Sequence, residues 1–418
     1  MQALAESLFI QTGNGSDPEK EYGKPDKSGC GKEQETEKDM ENRTSQNEPA
    51  ENGSQARKER KNVGLWIGAS LCFLVLVGGI VFWMQSRAPE SEKTRTITFT
   101  DIGFDTPITF KAEASEADFE KYAAIVKDTF SEYNEYFDQY HTYEGVNNVA
   151  TLNEKAAKEG VQVSQPLKDC LELAIKAYEQ APSFDIAEGR VLSLWHDARE
   201  ASDPYVPDKE LIEKAMDSHG ADAIQVKDDV VTFVDSGVQV DLGGIAKGYT
   251  AGITAEKLRE AGLTNGFINA GGNVVLVGPK ADGSDWVIGI ENPETGTSLL
   301  QYTTSTLTSI VTSGDYQRYM EVDGKRYGHI IDPKTGYPAT YMRSVTVINE
   351  DSGWADAMST ALFCLPVDEG RQFADAHQLS AVWITEKDTK VSGEPDLSTD
   401  TFNVYCTPDL KDQIRLSQ

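Results

Sequence analysis

His329-Ile-Ile-Asp-Pro-Lys-Thr-Gly336 follows closely on Thr312-Ser-Gly-Asp-Tyr-Gln-Arg318. Together the two stretches bring a His, two Asp, an Arg and a Thr to tight turns. Ile330 and Ile331 read as the end of a buried strand, and Asp332-Pro333-Lys334-Thr335-Gly336 as the turn leaving it. Polar side chains at such a strand end can all point into one cleft. Taken alone, Asp-Pro-x-x-Gly is a β-turn whose Asp bonds its own backbone. Two further stretches favour a functional reading.

The first is Val240-Asp-Leu-Gly-Gly-Ile-Ala-Lys-Gly248. Gly237 to Leu242 alternate apolar and polar residues and read as a strand. From Ile245 the spacing turns helical, through Ala246, Tyr249, Ile253, Ala255, Leu258 and Ala261, until Gly262 stops it. Gly243-Gly244 therefore sits at a strand-to-helix turn, where a missing Cβ lets backbone approach a ligand and the helix N-terminus favours phosphate. Lys247 in the first turn works against the helix dipole, so an anionic ligand explains it better than stability does. The spacing fits neither G-x-x-x-x-G-K-[ST] nor G-x-G-x-x-G, which excludes the P-loop and Rossmann readings.

The second is Trp354-Ala-Asp-Ala-Met-Ser-Thr-Ala-Leu-Phe363, an apolar helix on which Asp356 and Thr360 are i,i+4 neighbours. A carboxylate and a hydroxyl one turn apart suit a hard cation such as Mg²⁺, which takes one or two carboxylates and leaves its other positions to water and phosphate. The plainer reading is an Asp favoured by the helix dipole beside a solvated Thr.

From about residue 97 to 418 the chain resembles the FAD:protein FMN transferases, the ApbE family, of the Gram-positive type. The resemblance rests on blocks in the family's order: Phe184-Asp-Ile-Ala-Glu-Gly-Arg-Val-Leu-Ser-Leu-Trp195, Asp241–Gly248, Asn269-Ala-Gly-Gly272, Thr312–Arg318, His329–Gly336 and Ala355–Leu362. It implies Mg²⁺-dependent transfer of FMN from FAD, the substrate, to a Ser or Thr hydroxyl of a target flavoprotein, with release of AMP. Asp356 and Thr360 would then be metal ligands, with the carbonyl of Gly244 as a third. Tyr143, Ser183, Phe184, Asp185, Asp241, Lys247 and the backbone near Ile331 would hold FAD. His329 would handle the acceptor hydroxyl's proton. Phe104-Asp105-Thr106 stands where the family has Met-Gly-Thr, Arg190 where a Pro is usual, and Gly244 where most members have Ala. A non-catalytic FAD-binding extracytoplasmic domain would not need the Asp356–Thr360 pair; an FAD pyrophosphatase would use the same metal with water as acceptor.

Composition adds bounds. A net charge of −29 and a pI near 4.5 argue against nucleic acid and against an anionic membrane surface as partners. Residues 1–62 are polar and charged and read as a disordered tail. Gly64 to Met84 is uncharged and apolar, with Trp66 and Trp83 near its ends, and at about 1.5 Å per residue it spans a bilayer. Arg57, Lys58, Arg60 and Lys61 lie closer to the span than Arg87, Lys93 and Arg95 do, which places the tail in the cytoplasm. The expected organisation is a cytoplasmic tail (1–62), a single transmembrane helix (63–85), a linker (86–96) and an extracytoplasmic transferase domain (97–418). Cys170, Cys364 and Cys406 fall in that last part, an odd number that argues against a disulfide framework.

Within it, helices are expected over 116–140, 167–180 and 209–218. Phe119, Tyr122, Phe130, Tyr133 and Phe137 form a core stripe on the first. Strands are expected over 226–234, 266–269, 274–277, 286–291, 308–312, 344–348 and 381–385. Mixed order of this kind predicts an α+β fold with largely antiparallel sheets and packed helices.

Overall fold

Alternate residues of the strand Asn273–Gly278 serve two different cores, and that division organises the molecule. Val275 and Val277 pack with Ala251, Ala255 and Leu258 of the helix Ala246–Glu260, whereas Val274 and Leu276 pack on the other side with Ile288, Ile290 and Leu300. The same period of two recurs at Trp383 against Val382 and Ile384. A strand buried on both faces reads as a continuous apolar run, which is how Asn273–Gly278 appears in sequence.

The computed structural model describes residues 92–217 and 220–417. Its central sheet has nine strands, in the order Lys93–Phe99, Ile108–Ala114, Gly266–Ala270, Asn273–Gly278, Ser309–Gly314, Ser344–Asn349, Ser380–Glu386, Phe402–Cys406 and Leu397–Ser398. Every pairing in it is antiparallel. The helices Glu116–Phe137, Ala246–Glu260 and Ser352–Phe363 lie on one face. A three-stranded sheet, Ile414–Leu416, Ser298–Thr304 and Trp286–Glu291, packs on the other. The α+β expectation with largely antiparallel sheets holds, and the aromatic stripe of the first helix is core, each of its five rings at most 8% exposed.

Two expected strands are corrected. Residues 226–234 are a hairpin of Ile224–Lys227 and Val230–Phe233, because Asp228 adopts a positive φ of 54° and reverses the chain. Residues 237–242 belong to no sheet: Gly237 lies in a turn and Gln239 forms an isolated parallel bridge with Glu188. Val240 N donates to Asn153 Oδ1 at 2.7 Å, Asn153 Nδ2 donates to Val240 O at 2.9 Å, and Asp241 N donates to Ile186 O at 2.9 Å. Alternation there marks a buried segment whose backbone is satisfied by a side chain and a loop. The helices Val149–Lys155, Gly189–Glu200 and Val367–His377 and the strands Lys93–Phe99 and Ile108–Ala114 were not among the expected elements.

Among the described residues no helix is long and apolar enough to cross a membrane. The expected tail, membrane span and most of the linker lie outside the described residues. Cys170, Cys364 and Cys406 are free and buried.

Candidate active site

One open cleft of about 1500 Å³ lies at the end of the central sheet, and every side chain singled out as a site residue lines it: Tyr143, Ser183, Phe184, Asp185, Asp241, Gly244, Lys247, His329, Ile331, Asp356 and Thr360. Two helices set its floor. Asp351 caps the helix Ser352–Phe363, accepting from Trp354 N at 3.0 Å, and this fixes the turn carrying Asp356. Asp356 is only 4% exposed, and its Oδ2 accepts from Gly248 N at 2.8 Å. A Cβ at Gly248 would strike Ser352 O and Asp356 Cβ, so only glycine lets the two helices close to that bond. Asp356 Oδ1 makes no hydrogen bond among the described residues.

Thr360 lies one turn further on. A Cβ at Gly244 would sit 3.2 Å from Thr360 Oγ1 and 3.1 Å from Phe184, which brings that turn's backbone against the helix. Among the described residues no group of three or more His, Cys, Asp or Glu is placed to hold a metal. A closed, all-protein centre is therefore not built here. One free carboxylate oxygen with a hydroxyl and a nearby backbone turn does fit Mg²⁺, whose remaining ligands are water and phosphate oxygens.

Lys247 opens the helix Ala246–Glu260, and among the described residues its Nζ hydrogen-bonds only to Gly243 O, at 3.3 Å. Asp241 shapes the same turn: Oδ1 accepts from Gly243 N at 2.7 Å and Oδ2 from Gln139 Nε2 at 2.6 Å. Asn273 Nδ2 is a buried donor with no partner among the described residues, on a residue lining the cleft, and a ligand oxygen would satisfy it.

His329 Nδ1 lies 3.1 Å from Arg318 O. A carbonyl only accepts, so Nδ1 carries the hydrogen and Nε2 presents a lone pair. Desolvation, then the cations Arg318, Lys247 and Arg199, push the imidazole down to about 3. It is neutral at physiological pH. Acids behave in the opposite sense: burial pushes Asp185 up to about 6, and burial with the Asp185 and Asp332 charges pushes Glu188 up to about 8.

Three of the five polar groups in the opening motif reach the cleft: Thr312, Arg318 and His329. The other two do not. Asp315 is held by Arg343 Nε at 2.9 and 3.0 Å. Asp332 accepts from Lys334 N at 2.8 Å and Tyr341 OH at 2.9 Å, which is the self-bonding turn. Tyr143 is tied down as well, its hydroxyl donating to Asp138 Oδ2 at 2.8 Å. Tyr140, missed in sequence, is 55% exposed at the cleft, and its ring lies tilted against that of His196, centroids 5.1 Å apart. Arg199 Nη2 in turn donates to His196 Nδ1 at 3.2 Å.

The turn Gly103–Asp105 forms another wall. All three residues have positive φ, of 97°, 60° and 49°. Phe104 N donates to Asn134 Oδ1 at 2.9 Å and Arg318 Nη2 donates to Asp105 O at 2.9 Å, which hold the strained backbone in place.

Fold and cleft together are those of an enzyme. Residues 104–383 match the model of the ApbE family. A Vibrio cholerae protein named FAD:protein FMN transferase is 30% identical over 254 residues, covering 60% of this chain and 76% of its own. One of the same name from Klebsiella pneumoniae is 29% identical over 317 residues, covering 72% and 93%. The crystal structure of an ApbE protein from Thermotoga maritima has a TM-score of 0.64 at 30% identity, covering 70% of this chain and 94% of that one. A flavin transferase ApbE from Vibrio cholerae has a TM-score of 0.65 at 25% identity, covering 77% and 99%. The chain belongs to the ApbE family.

Proposed function

We propose that this chain is an FAD:protein FMN transferase that uses Mg²⁺, delivers FMN to a Ser or Thr hydroxyl of a target flavoprotein and releases AMP. The observation that carries the reading is the Asp356 corner: a buried carboxylate with one oxygen free, beside Thr360 and the Gly244 turn, at the end of a cleft that also holds Lys247 and His329. Asp356, Thr360 and the Gly244 carbonyl would hold the metal, which when bound offsets charge on the diphosphate.

The chain's own groups then do three things. Lys247 holds phosphate oxygens and neutralises the charge that builds on them. Tyr143, Ser183, Phe184, Asp185, Asp241 and the Ile331 backbone line the nucleotide's path. His329 takes the acceptor's proton at Nε2. An anionic diphosphate lying among Lys247, Arg318 and His329 offsets the cations that depress the imidazole, so the base gains proton affinity when substrate is present.

The domain would be extracytoplasmic, held by the span at 63–85, and its target a membrane-anchored or secreted flavoprotein. Residues 97–418 incubated with FAD, Mg²⁺ and a candidate acceptor should leave covalent flavin fluorescence on the acceptor after denaturing electrophoresis. FAD bound without any transfer would favour the non-catalytic reading.

A further inference from the structure

Asn273 opens the strand Asn273–Gly278 and is led into it by Gly271 and Gly272, whose φ angles are 56° and 101°. Asn269 Oδ1 accepts from Gly272 N at 3.0 Å and sets that turn. The backbone of Asn273 lies between Ala270 of one neighbouring strand and Val311 of the other, so the direction of its side chain is fixed. Val275 and Val277 of the same strand pack with the helix Ala246–Glu260. Asn273 is two residues before Val275 and turns to that same face. Opposite it, Val311 shares a core with Ala357 and Ala361 of the helix Ser352–Phe363. Asn273 therefore sits beneath both the helix that carries Lys247 and the helix that carries Asp356 and Thr360, and it lines the cleft.

Its surroundings leave the amide unanswered. Asn273 is 1% exposed, and Nδ2 has no hydrogen-bond partner among the described residues. Ser313, on the same face of the next strand, is already engaged: its Oγ lies 2.8 Å from Ser359 Oγ, which donates to Asp356 O at 2.9 Å. A buried donor without an acceptor destabilises a fold, and a leucine of similar volume would carry no such cost. The donor points to a group that enters with the ligand, and that group must be a hydrogen-bond acceptor. The corner above it, formed by Asp356, Thr360 and Gly244, is the one proposed to meet the diphosphate.

We propose that Asn273 is a further substrate-binding residue, whose Nδ2 donates to a non-bridging oxygen of the FAD diphosphate. The inference rests on the transferase reading and deepens it. Lys247 meets the diphosphate with a mobile point charge at the end of a flexible stem, which selects no single oxygen. An amide on a strand paired along both edges offers one donor along one line, and so fixes which oxygen lies where. A donor set in place beforehand and hidden from water also acts more strongly on a phosphate than the same group would in solution.

The test uses the full chain with its Asn273→Leu and Asn273→Asp variants, and FAD and riboflavin as probes in excess Mg²⁺. Affinity is read by flavin fluorescence, and stability by melts without ligand. Asn273→Leu should melt at or above the wild-type temperature, because an unsatisfied donor leaves the interior. It should bind FAD about tenfold more weakly, which corresponds to about 1.4 kcal/mol. Riboflavin has no phosphate and should bind the leucine variant and wild type alike. Asn273→Asp puts a negative acceptor where the donor stood and should bind FAD more weakly still. Affinity lost without loss of stability is a result that a purely structural asparagine would not give. Unchanged FAD affinity in Asn273→Leu, or an equal loss for riboflavin, would overturn the contact. So would wild-type FAD affinity in Asn273→Asp, an outcome that does not depend on the leucine variant folding. If wild type itself binds no FAD, the transferase reading falls and this contact with it.

Discussion

Gly248 N–H donates to Asp356 Oδ2 across 2.8 Å, from the first turn of one helix to the second turn of another. One oxygen of the buried carboxylate is thereby fixed, and the other has no hydrogen bond among the described residues. The bond ties the helix that carries Lys247 to the helix that carries Asp356 and Thr360, so the two share one reference point.

Asp356→Asn keeps an oxygen for Gly248 and removes the charge. Transfer should slow by roughly 10²-fold or more, since a charge clamp on a transferring phosphoryl group is lost. FAD titration should show much less change than turnover. Thr360→Val should be milder and partly rescued by added Mg²⁺. Wild-type rates for Asp356→Asn in limiting Mg²⁺ would refute the metal assignment.

Gly248→Ala places a Cβ against Ser352 O and Asp356 Cβ, and neither helix can yield cheaply. Overpacking of this kind costs about 1–3 kcal/mol. A lowered Tm together with a raised Mg²⁺ requirement is expected; a change in neither would show that the helices do not need that approach.

Lys247→Met retains the apolar stem. Among the described residues the ammonium hydrogen-bonds only to a carbonyl of its own turn, so the apo domain should melt within about 1 °C of wild type. FAD should bind about tenfold more weakly, the loss of one charge-assisted hydrogen bond of roughly 1.5 kcal/mol. Unaltered FAD affinity at fixed salt would remove the phosphate role.

Glu188 carries a sign that thermal melts can read. Its folded pKa is raised from 4.5 to about 8, so the folded state holds the proton more tightly than the unfolded chain does. Both states are protonated below about pH 4.5, and stability is lost as pH rises from there to 8. Glu188→Gln should therefore leave Tm unchanged near pH 4 and raise it by about 2 °C or more at pH 8 to 9. An equal shift at both pH values would mean that burial of the charge is not the cause.

Protease added to intact cells stripped of their wall should remove the domain beyond residue 97 and spare the tail. The motive is the cationic cluster Arg57–Lys61 ahead of the uncharged span. Protection of the domain would reverse the topology.

What could be read from sequence was whatever local spacing dictates. The Gly243-Gly244 turn, the one-turn offset of Asp356 and Thr360 and the aromatic stripe of the first helix all depend on residues within a few positions of one another. Asp332 and Asp315 were misjudged because a polar residue beside a strand end has two uses, and Tyr341 and Arg343 decide between them from elsewhere. Tyr140, Arg199 and Asn273 reach the cleft only through tertiary packing, and no period in the chain announces that. Likewise the buried stretch 237–242 alternated like a strand while its backbone was bonded to Asn153, 87 positions away.

The central sheet pairs Ile108–Ala114 with Gly266–Ala270, so neighbours in the sheet are separated by some 150 residues of chain. Closing such a loop is slow, because entropy is lost before the contacts that reward it form. Cleft residues run from Thr96 to Thr360, so the site is complete only after that closure. A nascent chain still lacking the Ser352–Phe363 helix has no Asp356 and cannot complete the cleft. Flavin-transferring competence therefore arises late in synthesis, as a property of the whole domain.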